Sequence, residues 1–242
     1  MLAGGRGQRL GELADGQNKC MLRLFGKPLV EYSLDNAVRA GVDEVVVVVG
    51  YRAEDIINRF GNAYRETPVR YVIQHERKGL VHAIECAADT IGDSDFMLFL
   101  ADEILTRPRH PEMIKALYDG GVFAVCGVVH EPDLGEIRKT YAVIEDERTR
   151  QIYRLIEKPR RPLTHVRGTG NCVFRPGIFD YLVHTPINQH RNEKELPDLI
   201  QCAIDDGHVV KAFDIGTRYI NINTAEDIIM AEREHADARV EA

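Results

Sequence analysis

The first stretch able to do chemistry is "LAGGRGQRL", in which Gly4, Gly5 and Gly7 are interleaved with Arg6 and Arg9, and Lys19 stands ten residues beyond Arg9. Glycines at these positions let the backbone approach a ligand closely and adopt positive φ, leaving N–H groups free to face phosphate oxygens. The arginines add planar, permanently charged forks suited to the same oxygens. No G-x-x-x-x-G-K-[ST] occurs, and the third glycine of G-x-G-x-x-G falls on Leu10, so neither a P-loop nor a dinucleotide fingerprint accounts for the loop. Residues 1–27 carry five basic side chains (6, 9, 19, 23, 27) and two acidic ones (12, 15), a local +3 in a chain of formal charge -7.

Such a loop has to be held at the ends of buried strands, and the sequence supplies them. Val45–Val49 is a β-branched run too short for a helix and reads as a central strand of a parallel sheet. Ahead of it, "PLVEYSLDNAVRAGV" has apolar residues near helical spacing, with Gly41 as the C-terminal stop. Behind it, "RAEDIINRFGNA" predicts a helix ended by Gly61, "VRYVIQ" a strand, "GLVHAIECAADTIG" a helix and "FMLFLAD" a second buried strand. This alternation predicts βαβ units with right-handed crossovers. Beyond residue 110, strands are expected around 123–129, 141–145, 152–156 and 170–174, then helical segments at 176–184 and 195–206. Strands near 209–214 and 219–222 and a closing helix from about Ala225 complete the reading. Only Met1, Leu2 and Ala3 precede the glycine loop, where a first core strand would use about five residues, so the chain is expected to begin late.

Composition narrows the partners. A chain of 242 residues with 44% hydrophobic content can bury a sizeable core. Its 31 Lys+Arg against 38 Asp+Glu argue against broad binding to nucleic acid or to an anionic membrane. The five cysteines (20, 86, 126, 172, 202) are scattered and never spaced C-x-x-C, which predicts neither a disulfide framework nor a zinc site and fits a cytoplasmic location. The greasiest run, Val45–Val49, is five residues long beside Asp43, Glu44 and Arg52, too short for a membrane span.

"LAGGRGQRL" followed by "NKCMLRLFGKPLVEYSL" resembles the opening signature of the sugar-1-phosphate nucleotidylyltransferases, and further matches run in order along nearly the whole chain. The resemblance implies a Rossmann-like three-layer α/β/α fold with a mixed, mainly parallel central sheet and a smaller substrate-side sheet. It also implies one domain over 1–242, with a nucleotide-binding half at about 1–110 and an acceptor-binding half at about 111–242. The loop of Leu2, Ala3, Gly4, Gly5 and Gly7 would wrap a nucleoside triphosphate, Arg9 would touch its phosphates and Lys19 would assist at the α-phosphate. "QHERKGLVHAI" resembles the family's base-reading segment, in which Gln74 would meet the Watson–Crick edge and Gly79 would begin a helix beside the nucleoside. A glutamine amide offers both donor and acceptor, so uracil or thymine is favoured, while a flipped amide would also serve cytosine. In "FMLFLADEIL", Asp102 ends a buried strand where a carboxylate suits a divalent cation, and the family's metal-binding aspartate falls there. The second ligand of the family falls on Asn221 in "RYININ", with Asn223 a nearby competitor, and Mg²⁺ is the implied cofactor.

On the acceptor side, "YAVIEDERTRQIYRLIEKP" ends in the family's E-K-P, which assigns sugar hydroxyls to Glu157 and the acceptor phosphate to Lys158. Gly170 and Asn171 in "GTGNCVFRPGIF" would line the sugar pocket, and Glu195 would either contact the sugar or serve the N-terminus of the helix it precedes. Residues 148–167 hold seven Arg+Lys and one acid, Glu157, a second basic patch or a solvated face. The departures are Gln8 in place of Ser or Thr, "GELADGQN" in place of a proline-containing segment, and Ala142 in place of glycine after the tyrosine.

The implied reaction is attack by an acceptor phosphate on the α-phosphorus of a nucleoside triphosphate, with release of pyrophosphate and formation of an NDP-sugar. Short relatives that activate phosphocholine or small phosphonates with CTP keep a cytidylyltransferase open, and Asn221 leaves room for a non-catalytic nucleotide-sugar-binding protein. A monomer or homodimer is expected, since the C-terminal region of the longer, tetrameric thymidylyltransferases has no counterpart here.

Overall fold

The computed structural model describes residues 1–7, 9, 10 and 16–240, with side chains described as far as Arg233; Gln8 and residues 11–15 of the departing segment lie outside the described residues. Val45–Val49 is buried along nearly its whole length and pairs in parallel with Leu2–Ala3 on one side and Thr67–Ile73 on the other. The antiparallel edge strand Ala63–Tyr64 completes this four-stranded sheet. Helices Leu29–Ala40, Ala53–Phe60 and Leu80–Ile91 alternate with these strands as the sequence predicts. Gly41 ends the first in the left-handed conformation, φ 76° and ψ 35°, that a side chain would oppose.

The two-residue first strand is the seam of the molecule. The Leu2 N–H donates to the Phe99 carbonyl at 2.8 Å and its carbonyl accepts from the Ala101 N–H at 3.0 Å, while its other edge pairs with Val48. The stretch "FMLFLAD" is therefore a regular strand only over Phe96–Leu98, where it pairs with Val166–Phe174, and changes partner at Phe99 to reach Leu2. The second sheet runs Ile152–Glu157, Tyr141–Glu145, Val166–Phe174, Val122–His130 and Val209–Asp214, mostly antiparallel, with the last pair parallel.

Several elements went unread in the sequence. Strand Glu103–Thr106 pairs with Arg218–Asn221, and helix His110–Leu117 follows it, with Pro108 ahead of it and Pro111 at its second position. The segment 176–184, expected as a helix, forms a 3-10 helix over Pro176–Tyr181. All five cysteines are free, although Cys126 and Cys172 are cross-strand partners in the core. Among the described residues no helix is long and apolar enough to cross a membrane.

The strand Val166–Phe174 shifts register between Gly168 and Cys172, and the residues of this irregularity serve a buried carboxylate. Glu103 accepts from the Gly170 N–H at 2.9 Å, the Asn171 amide at 2.8 Å and the Tyr219 hydroxyl at 2.6 Å, and burial pushes its carboxyl up to about 8. Asn171 accepts in turn from His110 Nε2 at 2.9 Å. His110 is 2% exposed, and burial lowers its imidazole from 6.5 to about 4. Between those values the unfolded chain binds a proton that the native ring refuses, so stability is expected to fall as pH drops from 6.5 to 4, by roughly 3 kcal/mol from this residue. His110→Gln retains a donor for Asn171 without titrating, and its denaturation midpoint is expected to fall less over the same window.

Candidate active site

The glycine loop leaves the first strand and passes directly over two other elements. A Cβ on Gly4 would lie 3.2 Å from Gln74 Oε1, and one on Gly7 would lie 2.9 Å from the Lys19 Cβ. Gly7 also has φ +70°, so both space and backbone require glycine there. Asn18 fixes the return of the chain. It is fully buried, its amide nitrogen donates to the Ala3 carbonyl at 3.1 Å and the Tyr51 carbonyl at 2.7 Å, and its oxygen caps the turn Lys19–Met21 through the Cys20 N–H at 2.8 Å. Its own N–H donates to Asp55 at 2.9 Å. The base of Lys19 is thereby tied to the start of the loop and to the end of the neighbouring strand.

Lys19, 5% exposed, donates to Asp102 Oδ2 at 2.5 Å and to Asn223 Oδ1 at 3.2 Å, and Arg9 donates to the same Asn223 oxygen at 2.9 Å. Asp102 and Asn223 meet because Glu103–Thr106 and Arg218–Asn221 are paired in register Asn221↔Glu103, with the Ile222 N–H donating to the Asp102 carbonyl at 2.9 Å. The structure thus brings Asn223, not Asn221, to Lys19. Asn221 Oδ1 accepts from the Asn223 amide nitrogen at 2.8 Å, which turns the Asn223 oxygen toward the two cations. Asp102 and Asn223 offer two hard oxygen donors side by side, a set that fits a divalent cation sharing its remaining positions with phosphate oxygens. Among the described residues no cluster of three or more His, Cys, Asp and Glu forms an all-protein metal cage. Cys20 beside them is buried, and burial pushes its thiol up to about 12, out of the nucleophilic range.

These groups line a cleft of about 780 Å³ that also takes in Leu2, Gly4, Gly5, Gly7, Gln74, Gly79 and Leu80. Arg6, Arg9, Lys19, Arg77 and Arg191 face Asp102 and Glu193 there, an excess of cations inside a chain of net charge -7. Ala3 does not line the cleft and acts through its carbonyl on Asn18.

The acceptor-side residues are distributed differently from the expectation. Lys158 follows the strand Ile152–Glu157 in a left-handed conformation, φ 40°, and its ammonium lies 2.6 Å from Glu157, whose carboxyl burial shifts upward. Gly170 and Asn171 do not line the cleft: their N–H and amide are consumed by Glu103, and a Cβ on Gly170 would lie 2.3 Å from Leu100. A buried carboxylate needs donors more than the sugar pocket needs that amide. The basic stretch 148–167 does not gather into one patch, because Arg150 pairs with Glu145 and Asp214, and buried Arg167 pairs with Glu131 and Glu136. Arg191, not singled out in the sequence, joins the two regions. It lies 2.9 Å from Glu195, 3.6 Å from Glu157 and 3.6 Å from Glu193 at the cleft edge. Its placement four residues before Glu195, ahead of a helix, was the available signal.

Replacing Asn18 by alanine leaves two buried carbonyls and one N–H without partners and frees the base of Lys19. The expected cost is about 2–4 kcal/mol in urea denaturation, with a fall in any turnover that depends on Lys19.

Comparison with known proteins identifies the family. Residues 1–236 match the nucleotidyl transferase family. The UTP–glucose-1-phosphate uridylyltransferase AglF of Haloferax volcanii is 34% identical over 233 residues, 96% of this chain and 94% of the relative. The UTP–glucose-1-phosphate uridylyltransferase of Bacillus subtilis is 26% identical over 274 residues, covering 98% and 92%. A UDP-glucose pyrophosphorylase solved with UDP-glucose superposes with a TM-score of 0.87 at 22% identity, covering 98% of this chain and 97% of that one, which shows the shared fold. A chain matched along almost its whole length, with a basic glycine loop closing over a lysine held by Asp102 and Asn223, belongs to the nucleotidyl transferase family.

Proposed function

We propose that the protein transfers a uridylyl or thymidylyl group from its triphosphate to a sugar 1-phosphate, in a Mg²⁺-dependent reaction that releases pyrophosphate. The observation that carries this reading is the Lys19 ammonium set between Asp102 and Asn223 in the cleft that also holds the glycine loop and Gln74. The names of the Haloferax and Bacillus relatives support UTP and glucose 1-phosphate as the pair to test first.

An oxygen of the acceptor phosphate attacks the α-phosphorus in line; the bond from that phosphorus to the bridging oxygen breaks, and pyrophosphate leaves with the electron pair. The attacking oxygen is already ionised, so no general base is required. This is consistent with the composition of the cleft, whose lining includes no histidine among the described residues. Catalysis is then positioning and charge neutralisation. Loop N–H groups, Arg6 and Arg9 hold the triphosphate, and Lys19 meets charge developing at the α-phosphate. Lys158 and Arg191 take the acceptor phosphate, while Glu157 and Glu195 receive sugar hydroxyls. Asp102 and Asn223, oriented by Asn221, would hold Mg²⁺, which supplies further neutralisation of the triphosphate.

Pyrophosphate release is measured with Mg²⁺ and UTP, dTTP, CTP, GTP or ATP against glucose 1-phosphate, other sugar 1-phosphates, phosphocholine and 2-hydroxyethylphosphonate. Release with UTP or dTTP and a sugar phosphate is the expected result; CTP with a small acceptor, or silence throughout, overturns it. Lys19→Ala is expected to lower kcat by roughly 10²–10³, the loss that follows removal of one preorganised charge. Lys158→Ala is expected to raise the acceptor KM roughly tenfold with little change in the nucleotide KM.

A further inference from the structure

Gln74 lies at the end of strand Thr67–Ile73, 7% exposed, with its N–H donated to the Val49 carbonyl at 2.8 Å. Its side-chain nitrogen lies 3.1 Å from the Gly79 carbonyl and 2.9 Å from His82 Nδ1. A carbonyl can only accept, so the atom facing Gly79 must be the NH₂ group, and the amide has one orientation. His82 Nδ1 is then the acceptor of the second amide hydrogen, the tautomer with the ring proton on Nε2. Both hydrogens of Gln74 are used inside the protein. What remains for the cleft is Oε1, which lies against Gly4 on the loop.

We propose that His82 tunes the nucleobase preference of the site by reinforcing the Gly79 carbonyl, the two together holding Gln74 with its carbonyl oxygen toward the base. This inference rests on the proposed nucleotide site and deepens it. A lone acceptor calls for a ring N–H on the base edge: uracil and thymine carry one at N3, whereas cytosine has a lone pair at that atom. The ambiguity of a glutamine read from sequence, which by flipping could serve uracil or cytosine, is removed by the Gly79 carbonyl together with His82, eight positions after Gln74 and not among the residues lining the cleft. His82 sits in the third position of helix Leu80–Ile91, with Cys86 one turn on, its sulfur 3.9 Å from both ring nitrogens. It is a positioning residue, acting through Gln74.

Equilibrium binding of UTP and CTP, measured by calorimetry on the wild-type protein and on His82 variants, tests the proposal apart from turnover. Wild type is expected to favour UTP. His82→Leu removes one of the two acceptors and leaves the Gly79 carbonyl alone to hold the amide; the UTP-over-CTP ratio is expected to fall about five- to tenfold, the worth of one such hydrogen bond. His82→Asn places an oxygen where Nδ1 stood and is expected to keep the ratio within about twofold, far below the cost of a lost hydrogen bond. His82→Phe, a second variant without an acceptor, serves if the leucine variant does not fold. A ratio unchanged in the leucine or phenylalanine variant, an equal loss for both nucleotides, or a wild type that does not favour UTP overturns the role of His82. A wild type that binds neither nucleotide overturns the nucleotide reading as well, whereas UTP binding without pyrophosphate release overturns only the catalytic reading.

Discussion

A buried lysine, here Lys19 at 5% exposure, is tolerable only if oxygen partners are built around its ammonium, and the architecture follows from that constraint. Its two partners lie 83 and 204 residues away along the chain. Asp102 can reach it only because Leu2 draws the chain out of its pairing with Val166–Phe174 at Phe99. Asn223 can reach it only because Arg218–Asn221 pairs alongside Glu103–Thr106. The two-residue first strand, too short to be an independent element, is where these requirements meet, and the glycine loop springs directly from it.

The buried network behind the site extends the same logic. Asp102 and Glu103 are consecutive, so their side chains leave the backbone on opposite sides. One carboxylate reaches the cleft and the other is driven into the interior, where Gly170, Asn171 and Tyr219 supply its donors and His110 orients Asn171. That arrangement explains why the strand Val166–Phe174 is irregular just there. It also explains why glycine is fixed at 170, since the backbone must come close enough to Leu100 and Glu103 to donate.

These residues divide by how local their constraints are. The helix Leu29–Ala40 with its glycine stop, the valine strand and the glycine loop were legible because short-range chemistry dictates each of them. Asn221 and Asn223 could not be separated by pattern, since residues two apart share a strand face; the decision is made by the bond from the Ile222 N–H to the Asp102 carbonyl, a contact between distant segments. Asn171 was expected at the sugar pocket from the family resemblance of its stretch. Its real partner, Glu103, lies 68 residues earlier, and nothing nearby in sequence announces a buried acid. The eight-residue helix His110–Leu117 was hidden by its length and by Pro108 and Pro111, though a proline in the first turn is itself a helix-start signal.

The two ends of the cleft are built from different kinds of interaction, and this matters for how a substrate pair would be ordered. The nucleotide end is held by buried, mutually satisfied groups: Asn18, Gln74, Lys19 and Asp102 have their positions set by neighbouring backbone and side chains. Beside the cleft, half-exposed Lys158 pairs with the largely buried Glu157, and half-exposed Arg191 is shared among Glu157, Glu193 and the buried Glu195. The solvent-facing cations of such pairs can exchange partners. On the proposed reading, a phosphate dianion arriving there competes with carboxylates for Lys158 and Arg191, and each cation it draws away leaves a carboxylate free to accept a hydroxyl hydrogen. On that reading phosphate and hydroxyl recognition are coupled through the same ion pairs, and Lys19, paired with Asp102 here, would likewise exchange that partner for a phosphate oxygen.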